Sequence, residues 1–281
     1  MPAGGPGFSA PGFSVIVPVH DEADLLPETA PLMLAGLGPA EVVFVCNGCT
    51  DGSAALLRGL VGGRARVIEL PAAGKAAAIR AGEAAVRAFP RFYVDADVWI
   101  AGSTLAALAR TLAAERLDLV SPRIRVDHAG ASRLARGVTE AWMSLPHMRL
   151  AGFHNVLGVS AEGRARWGRF PDLLADDDFI AASIPPGARR IVDGLACTLR
   201  PPRRFRAWVR VRARWTRGQR QLRAQGIVLP RTPGQAHGLR TLLAEGRVLA
   251  VGAYVAAAAL GAVLGRFGRS GWYRDGSSRS A

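Results

Sequence analysis

Four short apolar runs, each closed by polar or glycine-rich residues, punctuate the first hundred positions, and the apolar residues between them fall largely at helical spacing. The run Ser14-Val15-Ile16-Val17-Pro18-Val19 predicts a buried strand with His20-Asp21-Glu22 at its exit. Residues 24–37 predict a helix, and Glu41-Val42-Val43-Phe44-Val45 a second strand. The turn Cys46-Asn47-Gly48-Cys49-Thr50-Asp51-Gly52-Ser53 follows, where Thr50 or Asp51 could cap a helix reaching Leu60. A strand at 66–70, a helix at 76–89 and a strand ending at Asp95 complete a β-α-β-α-β-α-β alternation. That pattern predicts an α/β domain with an open, mostly parallel, twisted sheet flanked by helices.

The second half is less regular. It predicts helices at 104–115, 131–143 and 173–182, strands at 117–126 and 191–199, and a glycine-punctuated stretch at 152–158. A basic amphipathic helix at 203–225 and an uncharged apolar segment at 248–265, between Arg247 and Arg266, are appended. The chain thus divides into a flexible tail (1–13), two halves of one domain (14–103 and 104–200), a basic helical segment (201–246), an apolar helix (247–266) and a polar tail (267–281). Repeats, heptads and a Walker-type glycine loop are absent from the sequence.

Composition changes this picture in three places. The net charge of +14 is carried almost wholly by arginine, Lys75 being the single lysine, as a GC-rich coding sequence would favour. The arginines are nevertheless uneven: residues 200–223 hold ten and no acid, which suits phosphates or phospholipid headgroups. Residues 1–12 have neither the basic nor the apolar region of a signal peptide, so the bulk of the chain is expected in the cytosol. The apolar segment is about as short as a spanning helix can be, and spanning, interfacial and buried placements stay open. Arginines on both sides give it no clean orientation.

The candidate chemistry sits at the fourth strand. Asp95-Ala96-Asp97 places two carboxylates at a strand exit, where ligands bind in open α/β sheets, and period-two alternation aims both roughly the same way. Paired hard oxygen ligands suit Mg²⁺ or Mn²⁺ and, through the metal, a diphosphate. A second acidic group, Asp176-Asp177-Asp178, opens a short helix, where acids also favour the helix dipole.

In this order the landmarks resemble family 2 glycosyltransferases of the GT-A fold, over roughly residues 14–178 and more loosely to 225. The first strand with its His-Asp-Glu exit, the Asn47-to-Ser53 turn, Gly74-Lys75-Ala76, Asp95-Ala96-Asp97 and Ala175-Asp176-Asp177 each look like a family segment. The resemblance implies that residues 14–103 bind a nucleotide sugar and 104–200 form the acceptor side. It implies that Pro18, Val19, Glu22 and Asn47 line the base and ribose, with Lys75, Asp95 and Ala96 completing the donor side. Asp97, with Asp95, would hold Mg²⁺ or Mn²⁺, and Asp177, beside Asp176, would be the general base of an inverting transfer. The donor would be UDP- or GDP-linked. The acceptor is left unknown, a lipid or lipid-linked one being suggested by the basic and apolar helices, which also place the protein at the cytoplasmic face of the membrane or in the cytoplasm. Two departures matter. Asn47 replaces the usual aspartate, so a uracil ring is not assured. Val211 stands where processive members carry the Gln of Gln-x-x-Arg-Trp before Arg214-Trp215, which argues against a processive synthase.

The same residues admit rival readings. Cys46-x-x-Cys49 has the spacing of a redox pair, but Cys197 alone cannot complete a zinc site. Trp208 and Trp215 on the arginine helix could stack on bases in a nucleic-acid-binding protein with a degenerate GT-A domain, yet packing or a membrane surface accounts for them better, and no nucleic acid is expected. A sugar nucleotidyltransferase would need an early glycine-rich loop that is absent. Of the histidines, only His154, in Gly152-Phe153-His154-Asn155, is a modest candidate for the donor sugar or acceptor.

Overall fold

The computed structural model describes residues 12–146, 148, 153–227 and 235–267. Most of the N-terminal tail, His147, Gly152 and nearly all of the polar tail lie outside these described residues.

Strand β1 (Ser14–Val19) is buried along its whole length. It pairs in parallel with β2 (Glu41–Asn47) on one side and β4 (Arg91–Val94) on the other, and β3 (Arg66–Leu70) adds to β2. A strand covered on both faces needs an unbroken β-branched run, which Val15, Ile16 and Val17 supply. The helices between these strands are α1 (Leu26–Leu34), α2 (Ser53–Val61) and α3 (Lys75–Ala85). Helix α1 is shorter than the periodicity predicts: Pro27 fits its first turn, Pro31 strains its middle, and the chain turns extended at Ala35. Helix α3 stops at Ala85, four residues early, because Val86 is already extended on the approach to Pro90.

Beyond β4 the sheet is mixed. Its described order is β3-β2-β1-β4-β7-β6-β8-β5, where β5 is Val98–Trp99, β6 Leu119–Val126, β7 Val156–Val159 and β8 Arg189–Leu199. Strand β7 runs antiparallel to both β4 and β6, while β6 and β8 are parallel. The stretch expected as a glycine-punctuated connection therefore contains a central strand. Gly158 does not mark a loop there: it faces the Phe92 ring on β4, where a Cβ would collide with the aromatic edge.

Helix α4 (Gly102–Ala114) covers one face with α1 and α2. The other face carries α3, the short turn α6 (Ala161–Arg164) and α7 (Asp176–Ser183). A third apolar cluster lies outside the sheet, among α5 (Arg133–Ser144), α8 (Phe205–Ala224) and α10 (Val248–Phe267), with α9 (Gln235–Ala244) beside it. Its centre is three tryptophans: Trp142 lies 5.6 Å from Trp208 and 5.3 Å from Trp215, centroid to centroid. Trp208 is 1% exposed, so it packs and has no face to offer a base.

Candidate functional site

Three chain segments far apart in sequence meet at the carboxyl end of β4. Asp95 follows the strand, Lys75 is the first residue of α3, and Asp176 is the first of α7. The Lys75 ammonium bridges them, with Nζ 2.6 Å from Asp95 Oδ1 and 2.8 Å from Asp176 Oδ2. A compact ammonium with three donors can sit between two carboxylates in a way that a planar guanidinium fork cannot copy. That is a physical use for the one lysine in an arginine-dominated chain.

Asn155, just before β7, ties Asp95 to a third carboxylate, Asp177. The Asp95 N–H donates to Asn155 O at 2.9 Å, and Asn155 Nδ2 donates back to Asp95 Oδ2 at 2.9 Å. The Asn155 N–H donates to Asp177 Oδ2 at 3.1 Å. This aim requires a left-handed backbone at Asn155, φ 63°, a conformation that asparagine tolerates better than most residues. Sequence reasoning named His154 in this loop and missed Asn155. A polar pair directly before the apolar run Val156-Leu157-Gly158-Val159 was the available signal, being the mirror of a carboxylate at a strand exit.

The electrostatics follow from burial. Lack of water pushes the Asp177 carboxyl well above the usual carboxylate range, with Asp176 and Asp95 adding to the rise; Lys75 and the Asn155 N–H offset only part of it. Asp178 rises for the same first reason, with His154 opposing and Asp176 adding. Burial lowers His154 despite the acids around it, and its Nδ1 lies 3.9 Å from Asp177 Oδ2. Burial would also lower Lys75, but Asp176, Asp95 and Asp177 outweigh it and keep the ammonium charged. The site thus holds one charged ammonium and two carboxyls, Asp177 and Asp178, raised by burial.

The neighbouring corner is formed by the exits of β1 and β2. Asn47 is fully buried: its Nδ2 donates to Val19 O at 2.7 Å, and its Oδ1 accepts from Gly74 N at 2.8 Å. The resemblance sets Asn47 against the base; here both ends of its amide are held by backbone, which ties the exits of β1 and β2 to the start of α3. Pro18 and Val19 are buried in the last turn of β1's path, and the Glu22 N–H donates to Ser53 Oγ at 2.8 Å. Asp21 accepts from the Thr50 N–H and Asp51 from the Ala23 N–H, which knits the two exit loops together. Gly48 has φ 59°, and a Cβ there would lie 2.5 Å from Ala73 N, so only glycine lets the β2 and β3 exits approach this closely. An open pocket between those exits is lined by Cys46, Gly48, Cys49, Thr50, Glu69, Leu70 and Pro71.

Asp97 is half-buried two residues beyond Asp95, with buried Ala96 between them. Among the described residues no three His, Cys, Asp or Glu side chains converge to hold a metal ion alone. The donor set fits an ion that keeps waters and takes further oxygens from phosphates, which is how Mg²⁺ is usually bound. Cys46 and Cys49 do not form a reactive pair. Both are free, and burial pushes the Cys46 thiol up to about 12 and raises Cys49 as well, the opposite of an activated thiolate.

Comparisons with known proteins bear on the fold and the family. No curated protein sequence matches the chain. Among solved structures, the mannosyltransferase PcManGT of Pyrobaculum calidifontis, in complex with GDP-Man and Mn²⁺, superimposes with TM-score 0.59 at 24% identity, over 91% of this chain and 76% of that one. The TarS protein of S. aureus in complex with UDP-GlcNAc gives TM-score 0.53 at 14% identity, over 88% and 90%. Glucosyl-3-phosphoglycerate synthase of Mycobacterium tuberculosis, in complex with phosphoglyceric acid, gives 0.51 at 16%, over 79% and 82%. At these identities the likeness establishes the GT-A-type fold. Residues 14–166, more than half of the chain, match glycosyl transferase family 2, and the chain belongs to that family of glycosyltransferases.

Proposed function

We propose that this glycosyltransferase moves a sugar from a UDP- or GDP-linked donor to an acceptor hydroxyl with inversion at the anomeric carbon, using Mg²⁺ or Mn²⁺, and that its acceptor is a lipid or lipid-linked molecule at the cytoplasmic face of the membrane. The observation that carries the reading is the convergence of Asp95, Asp176 and Asp177 on Lys75 and Asn155.

The chain's own residues have separable tasks. The pocket between the β2 and β3 exits receives the base, and the knitted loops around Asp21, Glu22 and Asp51 shape the ribose side. Both Asp95 oxygens are engaged, by Lys75 and by Asn155. Asp97, with Asp95, would hold the metal, and Lys75 and Asn155 fix the direction of the Asp95 carboxylate. The metal, when bound, neutralises charge on the departing diphosphate. Lys75 holds Asp176 and Asp95 at fixed spacing, so the site changes little during transfer. Asp177 accepts the acceptor's hydroxyl proton as that oxygen bonds to the anomeric carbon and the sugar–phosphate bond breaks, the electron pair leaving with the diphosphate. A single base with no covalent intermediate gives one inversion.

The mannosyltransferase and TarS complexes, with GDP-Man and UDP-GlcNAc respectively, support the choice of donors. The test is transfer from radiolabelled UDP- and GDP-sugars into a lipid extract, with the product's anomeric configuration determined. Organic-phase label of inverted configuration, lost in EDTA, is the expected result. A retained configuration would refute the single-base mechanism, and label confined to water-soluble products would refute the lipid acceptor.

A further inference from the structure

We propose that α10 lies flat in the interface of an anionic bilayer, seated there by the arginines of α8, and does not span it. Among the described residues this is the one helix long and apolar enough to cross a membrane, yet only 33% of its apolar stretch is buried. Its two faces differ in kind. Ala250, Ala253, Ala257, Gly261 and Gly265, at spacings of three and four, face inward. Gly137 on α5 lies against Ala250, while Gly261 and Gly265 lie against Arg212 and Thr216 of α8, so backbones touch backbones. The rest of its surface presents Val255, Leu260, Val263, Leu264 and Phe267, each about half exposed or more, as a broad apolar arc.

Spanning conflicts with that packing. Helix α8 follows α10 past Arg212 and Thr216, and the Arg212 guanidinium sits 5.2 Å from the Tyr254 ring centroid. Turning α10 across a bilayer would carry the arginine-dense helix into hydrocarbon, among the least favourable placements for a side chain. Lying flat separates the two needs. The apolar face of this twenty-residue helix, about 30 Å long, enters the acyl boundary, and the exposed Arg206, Arg210, Arg220 and Arg223 of α8 meet headgroup phosphates. A second copy of the chain is a poorer occupant, because pairing two α10 stripes would bring two arginine stripes of one sign together.

The seat also has a direct connection to the chemistry. Another face of α8 packs on the segment entering α7: Gly218 backs onto Ala175, and Gln221 Oε1 accepts from Leu174 N at 2.9 Å, immediately before Asp176 and Asp177. One helix diameter, about 10 Å, therefore separates the membrane-lying helix from the carboxylate segment. Only this last link rests on the lipid-acceptor reading; the bilayer contact does not.

The experiment is vesicle flotation of the full chain without donor or acceptor, on phosphatidylcholine alone and with about a third phosphatidylglycerol. Wild type is expected to float with the anionic vesicles and to be released by alkaline carbonate. L260E/V263E should lower the bound fraction about tenfold or more, and R206Q/R210Q/R220Q should weaken binding roughly a hundredfold at low salt. Unchanged nucleotide affinity in both variants verifies folding. Resistance to carbonate would overturn the flat placement in favour of a span. Dimers that L260E/V263E dissolves, with no flotation, would overturn it in favour of a second copy. Nucleotide binding without flotation sinks this proposal alone, whereas flotation without nucleotide binding sinks the donor reading and leaves the seat standing.

Discussion

Around Lys75, four ionisable side chains sit largely out of water and hold one another in place: Lys75, Asp95, Asp176 and Asp177 are 19%, 21%, 10% and 24% exposed. Along α8 and α10 the arrangement is reversed: α8 carries exposed arginines such as Arg206 and Arg220, and the helix packed on it carries exposed Leu260 and Val263. Buried charge must be paired and hydrogen-bonded, so the first region is fixed in geometry and its partners come from distant parts of the chain. Exposed charge beside exposed apolar surface is incomplete in water and points to something outside the chain. The contrast separates where the chemistry is from where the protein is held, with α8 touching both.

The largest expected effect breaks the first region. Asp177→Asn should lower turnover by about a thousandfold, in line with loss of a general base, while raising the melting temperature at neutral pH. Burial, then Asp176, raise this carboxyl above its unfolded value, so the folded state keeps a proton that the unfolded chain releases. Stability from the group is therefore full below about pH 4 and declines as pH rises toward the raised value. Asparagine removes that decline, so melting curves of the two proteins should converge in acid. The same shift sets the acid limb of the wild-type rate profile above that of an ordinary carboxylate, since transfer needs the ionised base.

Lys75→Gln comes next. It leaves Asp95 and Asp176 facing one another, and denaturant titration should show a loss of about 2–3 kcal/mol, discounted because about a fifth of the side chain meets water. Lys75→Arg should recover only part of it. Gly261→Leu sharpens the comparison from the other side: a side chain there strikes Arg212 and pries α10 from α8. It should cost about 1–3 kcal/mol while nucleotide affinity, measured by calorimetry, stays unchanged. Smallest is Cys46→Ala, a small buried side chain on the lining of the pocket assigned to the base, with no reactive role; turnover close to wild type and a stability loss of about 1 kcal/mol are expected.

The contrast also explains what could be read from the chain. The β1–β4 half was legible because each strand is a local run with a marked exit, and because Asp95-Ala96-Asp97 lies within three residues. Apolar α10 announced itself in the same way. Strand β7 was not legible, since four residues interrupted by Gly158 look like a loop until the Phe92 ring that needs the space is known. Antiparallel β7 likewise explains why the far half of the sheet is mixed. The Lys75 bridge joins positions 75, 95 and 176, and no spacing rule links them. Asn47 was visible as a residue, but the direction of its amide depends on Val19 and Gly74, which only the folded chain brings together.

Calorimetric titration of UDP and GDP, with and without Mn²⁺, into wild type and Asp97→Ala tests most directly whether the carboxylate end of the sheet is a donor site. The account predicts metal-dependent binding of at least one nucleotide to wild type, weakened at least about tenfold by Asp97→Ala. Binding indifferent to both metal and Asp97, or no binding by the folded protein, would contradict it.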